Sequence, residues 1–259
     1  MPHTWDPDRY LAYADERGRP FLDLIARIDA ESPRRVVDLG CGSGELTASL
    51  SRLWPTAEIV GVDSSPAMIE KARTIKGVDD LRFLERDLRE WRPDPGTDVL
   101  ISNAALQWVP DHRRLLPGFV ERLAPDGWIA FQVPGNFDEP SHVLLRELAG
   151  TAPYAQHTAG VLRPSSAGPA EYLADLTTLG CAVDAWETTY LHVLTGEDPV
   201  FTWISATGAR PVLQALPDEL RETFEADYKE RLREAYPERP YGTVLPFRRI
   251  FVVGRRDGS

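Results

Sequence analysis

Val36-Val37-Asp38-Leu39-Gly40-Cys41-Gly42-Ser43-Gly44 reads as a buried strand running into a glycine-rich turn. Arg34 to Leu39 carry the β-branched, apolar run of a parallel strand covered on both faces. Glycine at three alternate positions lets the backbone turn sharply and lets a ligand approach with no Cβ in the way. Glu45 to Leu53 reads as a helix whose first amides point back at that turn. A nucleotide-like ligand suits such a turn. The G-x-G-x-x-G pattern of dinucleotide sites is not met, because the third glycine arrives one residue early and Glu45 stands where the pattern wants glycine. A carboxylate there sits badly beside a pyrophosphate but not beside a positively charged ligand. On the motif alone, an ordinary tight turn between strand and helix is the alternative.

Outward from the turn, Glu58 to Asp63 is a second strand with Asp63 at its carboxyl end. Open α/β sheets bind ligands there, and a carboxylate so placed can accept both hydroxyls of a ribose. Ser64-Ser65-Pro66 is a helix start, with a serine cap and proline at the first helical position. Met68, Ile69 and Ala72 form its inner stripe. Leu81 to Leu84 is a third strand, followed by Asp87 and Leu88. The fourth, Asp98 to Ser102, ends in Asn103-Ala104-Ala105-Leu106-Gln107-Trp108-Val109-Pro110, which gathers polar and aromatic groups. A helix from Asp111 to Leu123 and a turn at Pro125-Asp126-Gly127 lead into strand five, Trp128 to Val133.

Composition narrows the function. The chain has 259 residues, a formal charge of -11 and two cysteines, Cys41 and Cys181. An acidic chain is a poor nucleic-acid binder, since phosphate contacts need clustered Lys and Arg. A local arginine cluster can still hold a small anion. Cys41 lies inside the glycine turn, so a reducing compartment fits better than a structural disulfide. With no signal peptide and no apolar run of about 18 residues, a cytoplasmic protein is expected, with no membrane partner. A monomer and no metal site are also expected.

After Pro134 the alternation of strands and helices loosens. Gly135 to His142 is a loop before a helix from Val143 to Ala149, and residues 151–168 read as a mobile connection. Glu171 to Leu179 is helical, with Gly180 closing it. Val183 to Leu194 is a long strand with Trp186, Tyr190 and His192 on one face. Thr195 to Glu238 is mostly helical, its charge run from Glu219 to Glu234 being a solvated face. Arg248 to Val253 is the last strand. The expected architecture is α/β: a Rossmann-like sheet of seven strands, helices on both faces and a partly helical cap. It forms a single domain over 1–259, with an N-terminal lid at 1–30, a cofactor core at 34–134, and cap segments at 135–170 and 195–245.

The glycine turn, Asp63 and Asp87, in that order and spacing, resemble the class I S-adenosylmethionine-dependent methyltransferases, whose first motif is a D-x-G-x-G-x-G turn. Further stretches narrow the likeness: Trp5-Asp6-Pro7, Val62 to Ile69, Asn103 to Pro110, Gly135 to His142, Val183 to His192, and Pro246-Phe247-Arg248-Arg249. Over nearly its whole length the chain is similar to the trans-aconitate 2-methyltransferases. The resemblance implies S-adenosylmethionine as cofactor, S-adenosylhomocysteine as product, and the monomethyl ester of trans-aconitate formed by in-line displacement. It implies a cofactor set of Tyr10, Asp38, Gly40, Gly42, Gly44, Asp63, Ser64, Met68, Asp87, Leu88, Asn103, Gln107 and Trp108. Asp87 would meet the adenine amino group and the Asn103 carbonyl the ammonium, with Gln107 and Trp108 walling the sulfonium. Met68 suits either the core or the adenine, Trp108 either the core or the wall, and the arm around Tyr10 either a packing strap or a cofactor lid. No catalytic residue is needed, because a carboxylate is already ionised at neutral pH. A tricarboxylate demands cations; the candidates are Arg249 and Arg210, then Arg19, His142, Tyr190, His192 and Tyr241. Arg248 and Arg249 point to opposite sides of a regular strand. The competing readings are methyl transfer to another small acid or a phenol, and a cofactor-binding protein without catalysis. A nicotinamide dehydrogenase is opposed by Glu45.

Overall fold

The computed structural model describes residues 18–161 and 164–258. Tyr10, with the rest of the arm, lies outside the described residues. In chain order the strands are β1 Arg35–Leu39, β2 Glu58–Asp63, β3 Leu81–Glu85, β4 Thr97–Asn103, β5 Leu123–Pro134, β6 Cys181–Leu194 and β7 Thr243–Arg256. Among the described residues they form one seven-stranded sheet in the order β3-β2-β1-β4-β5-β7-β6. β1 pairs in parallel with both β2 and β4, and the parallel run continues through β2 to β3 and β4 to β5. The sheet therefore grows outward both ways from β1 and β4, and a crevice opens at the carboxyl ends of such neighbours. The α/β sheet expected from the sequence is present.

The helices are α1 Gly18–Ile25, α2 Glu45–Leu53, α3 Pro66–Ala72, α4 Leu116–Arg122, α5 Pro140–Ala149, α6 Ala155–Thr158, α7 Pro169–Thr178, α8 Pro199–Ser205, α9 Arg210–Ala215 and α10 Asp218–Ala235. None among the described residues is long and apolar enough to cross a membrane.

Two compact units share the chain. Among the described residues, one takes in 18–133, Ala167–Glu187 and 250–258. Its core joins Val37, Leu39, Val62, Leu100, Phe119 and Phe131 with Tyr172 and Val252. The other comprises Pro134–Ser166 and Thr188–Arg249. Its core is built mainly from α5, α8, α9 and α10, where Phe224, Tyr228 and Leu232 turn one stripe of the charge-rich α10 inward. That stripe has the i, i+4, i+8 spacing of a single helix face.

Some elements depart from the sequence reading. The helix expected from Asp111 starts instead as a 3-10 turn, His112–Leu115, before α4. Pro117, near the start of α4, has no N–H to continue a longer helix. β5 begins at Leu123, ahead of the expected Trp128, because the register with β4 jumps from Thr97↔Leu123 to Val99↔Trp128. The Pro125-Asp126-Gly127 turn is thus a bulge within the strand, with Asp126 at φ 62. Residues 151–168, expected as a mobile connection, carry α6. Tyr154 packs edge-on against Phe224 at 4.9 Å, and Thr158 Oγ1 donates to the Ala149 carbonyl at 2.7 Å. β7 starts at Thr243 rather than Arg248, its burial alternating through Thr243, Leu245, Phe247 and Arg249 despite Pro246.

Candidate functional site

The three glycines of the turn divide the work. All have positive φ, 74, 55 and 84 for Gly40, Gly42 and Gly44, where a side chain is strained. A Cβ on Gly40 would overlap the Cβ of Ala105, and one on Gly44 would lie 2.6 Å from Phe83 Cζ. Those two are glycine so that the loop after β4, and the ring from β3, can press against the turn. Over Gly42 there is open space, which makes it the position where a ligand can touch backbone. The Val62 carbonyl accepts from the amides of Gly40 (2.7 Å) and Cys41 (3.0 Å), tying the turn to β2.

Asp63 completes that tie. Its Oδ2 accepts from the Gly42 amide at 2.9 Å and its Oδ1 from the Ser65 amide at 2.8 Å. A carboxylate has about four lone-pair sites, so each oxygen retains one for a ligand hydroxyl. Ser65 caps α3, while Ser64 is exposed. Met68 is 42% exposed on the first turn of α3, whereas Ile69 and Ala72 are buried. The inner stripe is therefore Ile69 with Ala72, three residues apart, and Met68 lies about 100° away around the helix.

Asp38 sits beneath the turn, 3% exposed, with its Oδ2 accepting from Thr47 Oγ1 at 2.6 Å. Burial pushes its carboxyl up from 3.8 to about 6, against the lowering effect of Thr47, with Asp63 adding a like charge. The folded protein thus disfavours the charge that the unfolded chain accepts. That penalty is absent below pH 3.8, grows as pH rises, and is complete above about 6. The difference amounts to on the order of 3 kcal/mol. Asp38→Asn keeps an oxygen for Thr47 and cannot ionise. Relative to the unchanged protein, it is expected to gain stability of that order between pH 4 and pH 7.5; urea unfolding at both values checks this, and equal pH dependence would refute it.

Asp87, after β3, is occupied. Arg89 Nε reaches Asp87 Oδ1 at 3.1 Å and Oδ2 at 3.0 Å, and Arg89 Nη2 reaches Oδ2 at 2.5 Å. This fork holds the Asp87 carboxyl below the ordinary range. The side chain of neighbouring Leu88 belongs to the core, which leaves only its backbone for a ligand. At the end of β4, Asn103 Oδ1 and Gln107 Oε1 are buried acceptors with no hydrogen-bond partner. Gln107 is oriented by its own Nε2, which donates to the Ala104 carbonyl at 2.6 Å. Trp108 is half-buried at the end of a 3-10 turn, Leu106–Trp108, whose Leu106 fills the core.

The first unit thus holds open hydrogen-bond acceptors at or just after the ends of β2 and β4, namely Asp63, Asn103 and Gln107, while Asp87 is filled by Arg89. A ligand rich in donors fits them. Two ribose hydroxyls, an adenine amino group and an ammonium are such donors, and S-adenosylmethionine carries all of them. Glu45 does not oppose a cationic ligand; it is held by Ser43 and by Lys71 Nζ at 3.3 Å.

The acid-binding candidates separate by burial. Arg19, in the first unit, is exposed beside Asp23. Within the second unit, Arg210 is exposed and Tyr241 is 64% exposed. Arg249, Tyr190 and His192 are buried. The Arg249 guanidinium lies 4.6 Å from the Phe247 ring centre, and His192 packs against Phe247 at 5.9 Å and stacks on Trp203 at 4.8 Å. The structure therefore groups Arg249 with His192 and leaves Arg210 and Tyr241 outside that cluster. His142 is buried too, and burial, helped by the Arg146 charge, brings its pKa down to about 4. It is neutral at pH 7, so it offers an acid an N–H and no charge. The same unit has a cleft of about 350 Å³ lined by Glu197, Asp198 and Glu238. Its one arginine, Arg233, is already forked onto Asp198 at 2.7 Å, so the cleft repels an acid. Sequence reasoning passed over Thr47, Asn136 and Ser141. Their signal is burial of a polar side chain, which spacing does not reveal.

Comparison with known proteins places the chain in a family. The methyltransferase-domain family profile matches residues 10–166. The chain is 51% identical to a protein named trans-aconitate 2-methyltransferase from Streptomyces coelicolor, over 99% of this chain and 88% of that one. It is 53% identical to one of the same name from Rhodococcus jostii, over 97% of this chain and 99% of that one. Solved structures with the same fold include the YcgJ protein from Bacillus subtilis, with TM-score 0.58 and 17% identity over 91% of this chain and 97% of that one. An S-adenosylmethionine-dependent methyltransferase from Mesorhizobium loti aligns with TM-score 0.54 and 21% identity, over 91% and 97% of the two chains.

Proposed function

The chain belongs to the methyltransferase-domain family, and we propose that it is the enzyme that methylates one carboxylate of trans-aconitate, giving the monomethyl ester and S-adenosylhomocysteine. The observation that carries the cofactor half is the set of acceptors at the ends of β2 and β4, two of them, Asn103 Oδ1 and Gln107 Oε1, buried without partners. The acid half is supported by the names of relatives about half identical over almost the full chain, and by a buried arginine in the second unit.

Bound S-adenosylmethionine supplies a methyl group activated by a positive sulfur. The protein's residues have the remaining tasks. Asp63 holds the ribose while it pins Gly42. Asn103 and Gln107 hold the ammonium, and Asp87 meets the adenine once its fork with Arg89 opens. Trp108 offers the uncharged wall that a weakly hydrated cation prefers. The acceptor oxygen is already anionic at pH 7, so no side chain has to remove a proton. Catalysis then consists of holding that oxygen in line with the methyl group and stripping water from it.

Methyl transfer from labelled cofactor to trans-aconitate, cis-aconitate, citrate and a simple phenol tests the reading. Strong preference for trans-aconitate is expected, with a rate that stays flat from pH 6.5 to 9. Preference for the phenol, with a rate that rises through an enzymic pKa, would refute it. Cofactor binding without transfer to any acid would leave only a cofactor-binding protein.

A further inference from the structure

The loop from Gly135 to His142 is among the stretches that mark the chain most specifically, yet the proposed function draws only His142 from it. The structure fixes this loop within the second unit from several sides. The Gly135 amide donates to the Arg248 carbonyl at 2.9 Å, which joins the loop to β7. Asn136 and Arg249 each lie one residue from that bond. The Glu139 amide donates to the Asn136 carbonyl at 3.1 Å and the His142 amide to the Glu139 carbonyl at 2.9 Å, so the loop folds tightly into the first turn of α5. Arg146 donates to the Phe137 carbonyl. Ser141 is gripped by two tyrosines: its amide donates to the Tyr236 hydroxyl at 3.0 Å, and its carbonyl accepts from the Tyr228 hydroxyl at 2.5 Å.

Two side-chain atoms are left over. Asn136 and Ser141 are each 1% exposed, and Asn136 Oδ1 and Ser141 Oγ are buried with no hydrogen-bond partner. Buried polar atoms are nearly always paired, and an orphan needs an explanation. Here the surrounding backbone is tied at Gly135, Asn136, Phe137, Glu139, Ser141 and His142, so the loop around both side chains is held in place. A serine hydroxyl donates to a carboxylate, and an asparagine amide offers Nδ2 after a half-turn of its last torsion.

We propose that Asn136 and Ser141 are specificity-determining groups of the acceptor site, which hydrogen-bond one carboxylate of a polycarboxylic acid while Arg249 supplies the charge. This rests on the reading of the chain as a methyltransferase of a small acid. His142 then acts through packing, its ring edge-to-face with Phe137 at 5.1 Å.

Ser141→Ala and Asn136→Ala test it, with trans-aconitate as the varied substrate at saturating cofactor. Each variant is expected to raise KM for the acid by about 10- to 100-fold, the range for one hydrogen bond to a charged group. Cofactor affinity is expected to stay within about twofold of the parent. An internal water as the sole partner predicts otherwise: thermal stability would change and KM would not. Unchanged KM in both variants, with a parent that methylates trans-aconitate, overturns the inference alone. A parent that neither binds nor methylates the acid overturns the inference together with the functional reading.

Discussion

Asp63→Ala is expected to weaken S-adenosylhomocysteine binding by roughly 10²- to 10⁴-fold, the loss of two hydrogen bonds to a charged acceptor. In the proposed site this residue has two tasks at once. Its oxygens hold the amides of Gly42 and Ser65, and they would accept the ribose hydroxyls as well. Removing them frees Gly42, the one glycine of the turn with open space above it, and loosens the start of α3. Asparagine is a poor substitute. Its amide can accept from only one of the two backbone donors and turns an N–H toward the other. Asp63→Asn is therefore expected to fall close to the alanine variant. Calorimetric titration measures both, and affinity within a few-fold of the parent would remove Asp63 from the site.

The sequence disclosed the frame of this site because buried parallel strands leave a plain record. The run at Val36–Leu39, the helix Glu45–Leu53 and the strand Glu58–Asp63 lie where the apolar pattern and the glycines put them. Asp63 and Asp87 could be placed at strand ends by counting. What each glycine does could not be counted. Gly40 answers to Ala105 and Gly44 to Phe83, partners brought close only by the sheet order. The Asp87–Arg89 fork involves neighbours in sequence, but two adjacent charges say nothing about geometry until the chain turns there. Asp38 reads as a motif carboxylate; only the structure buries it against Thr47. Asn136 and Ser141 lie in a stretch that the sequence marks as specific, but their being orphaned carries no sequence signal, because it depends on every neighbour at once. His142 looked like a cation on paper, and burial made it neutral.

Arginine 249 carries the other large expectation. Arg249→Lys is expected to raise KM for trans-aconitate by about 30-fold or more, while cofactor affinity stays within about twofold. Lysine keeps the charge but loses the planar fork that meets both oxygens of a carboxylate. It is preferred to alanine, which would open a hole beside Phe247, where the guanidinium now lies 4.6 Å from the ring. Burial is what raises the expected effect. Arg249 is 6% exposed, so an acid that meets it is shielded from water and little screened. Arg210, exposed at the first position of α9, is the matched control, and Arg210→Ala should leave KM within about twofold, as loss of a solvated charge does. The alternation along β7 separates the two neighbours as well: Arg249 is buried and Arg248 half-buried. If KM responded to Arg210 and not to Arg249, the charge that holds the acid would lie on the helical surface of the second unit, and the aromatic cluster of Phe247, His192 and Trp203 would be core packing alone.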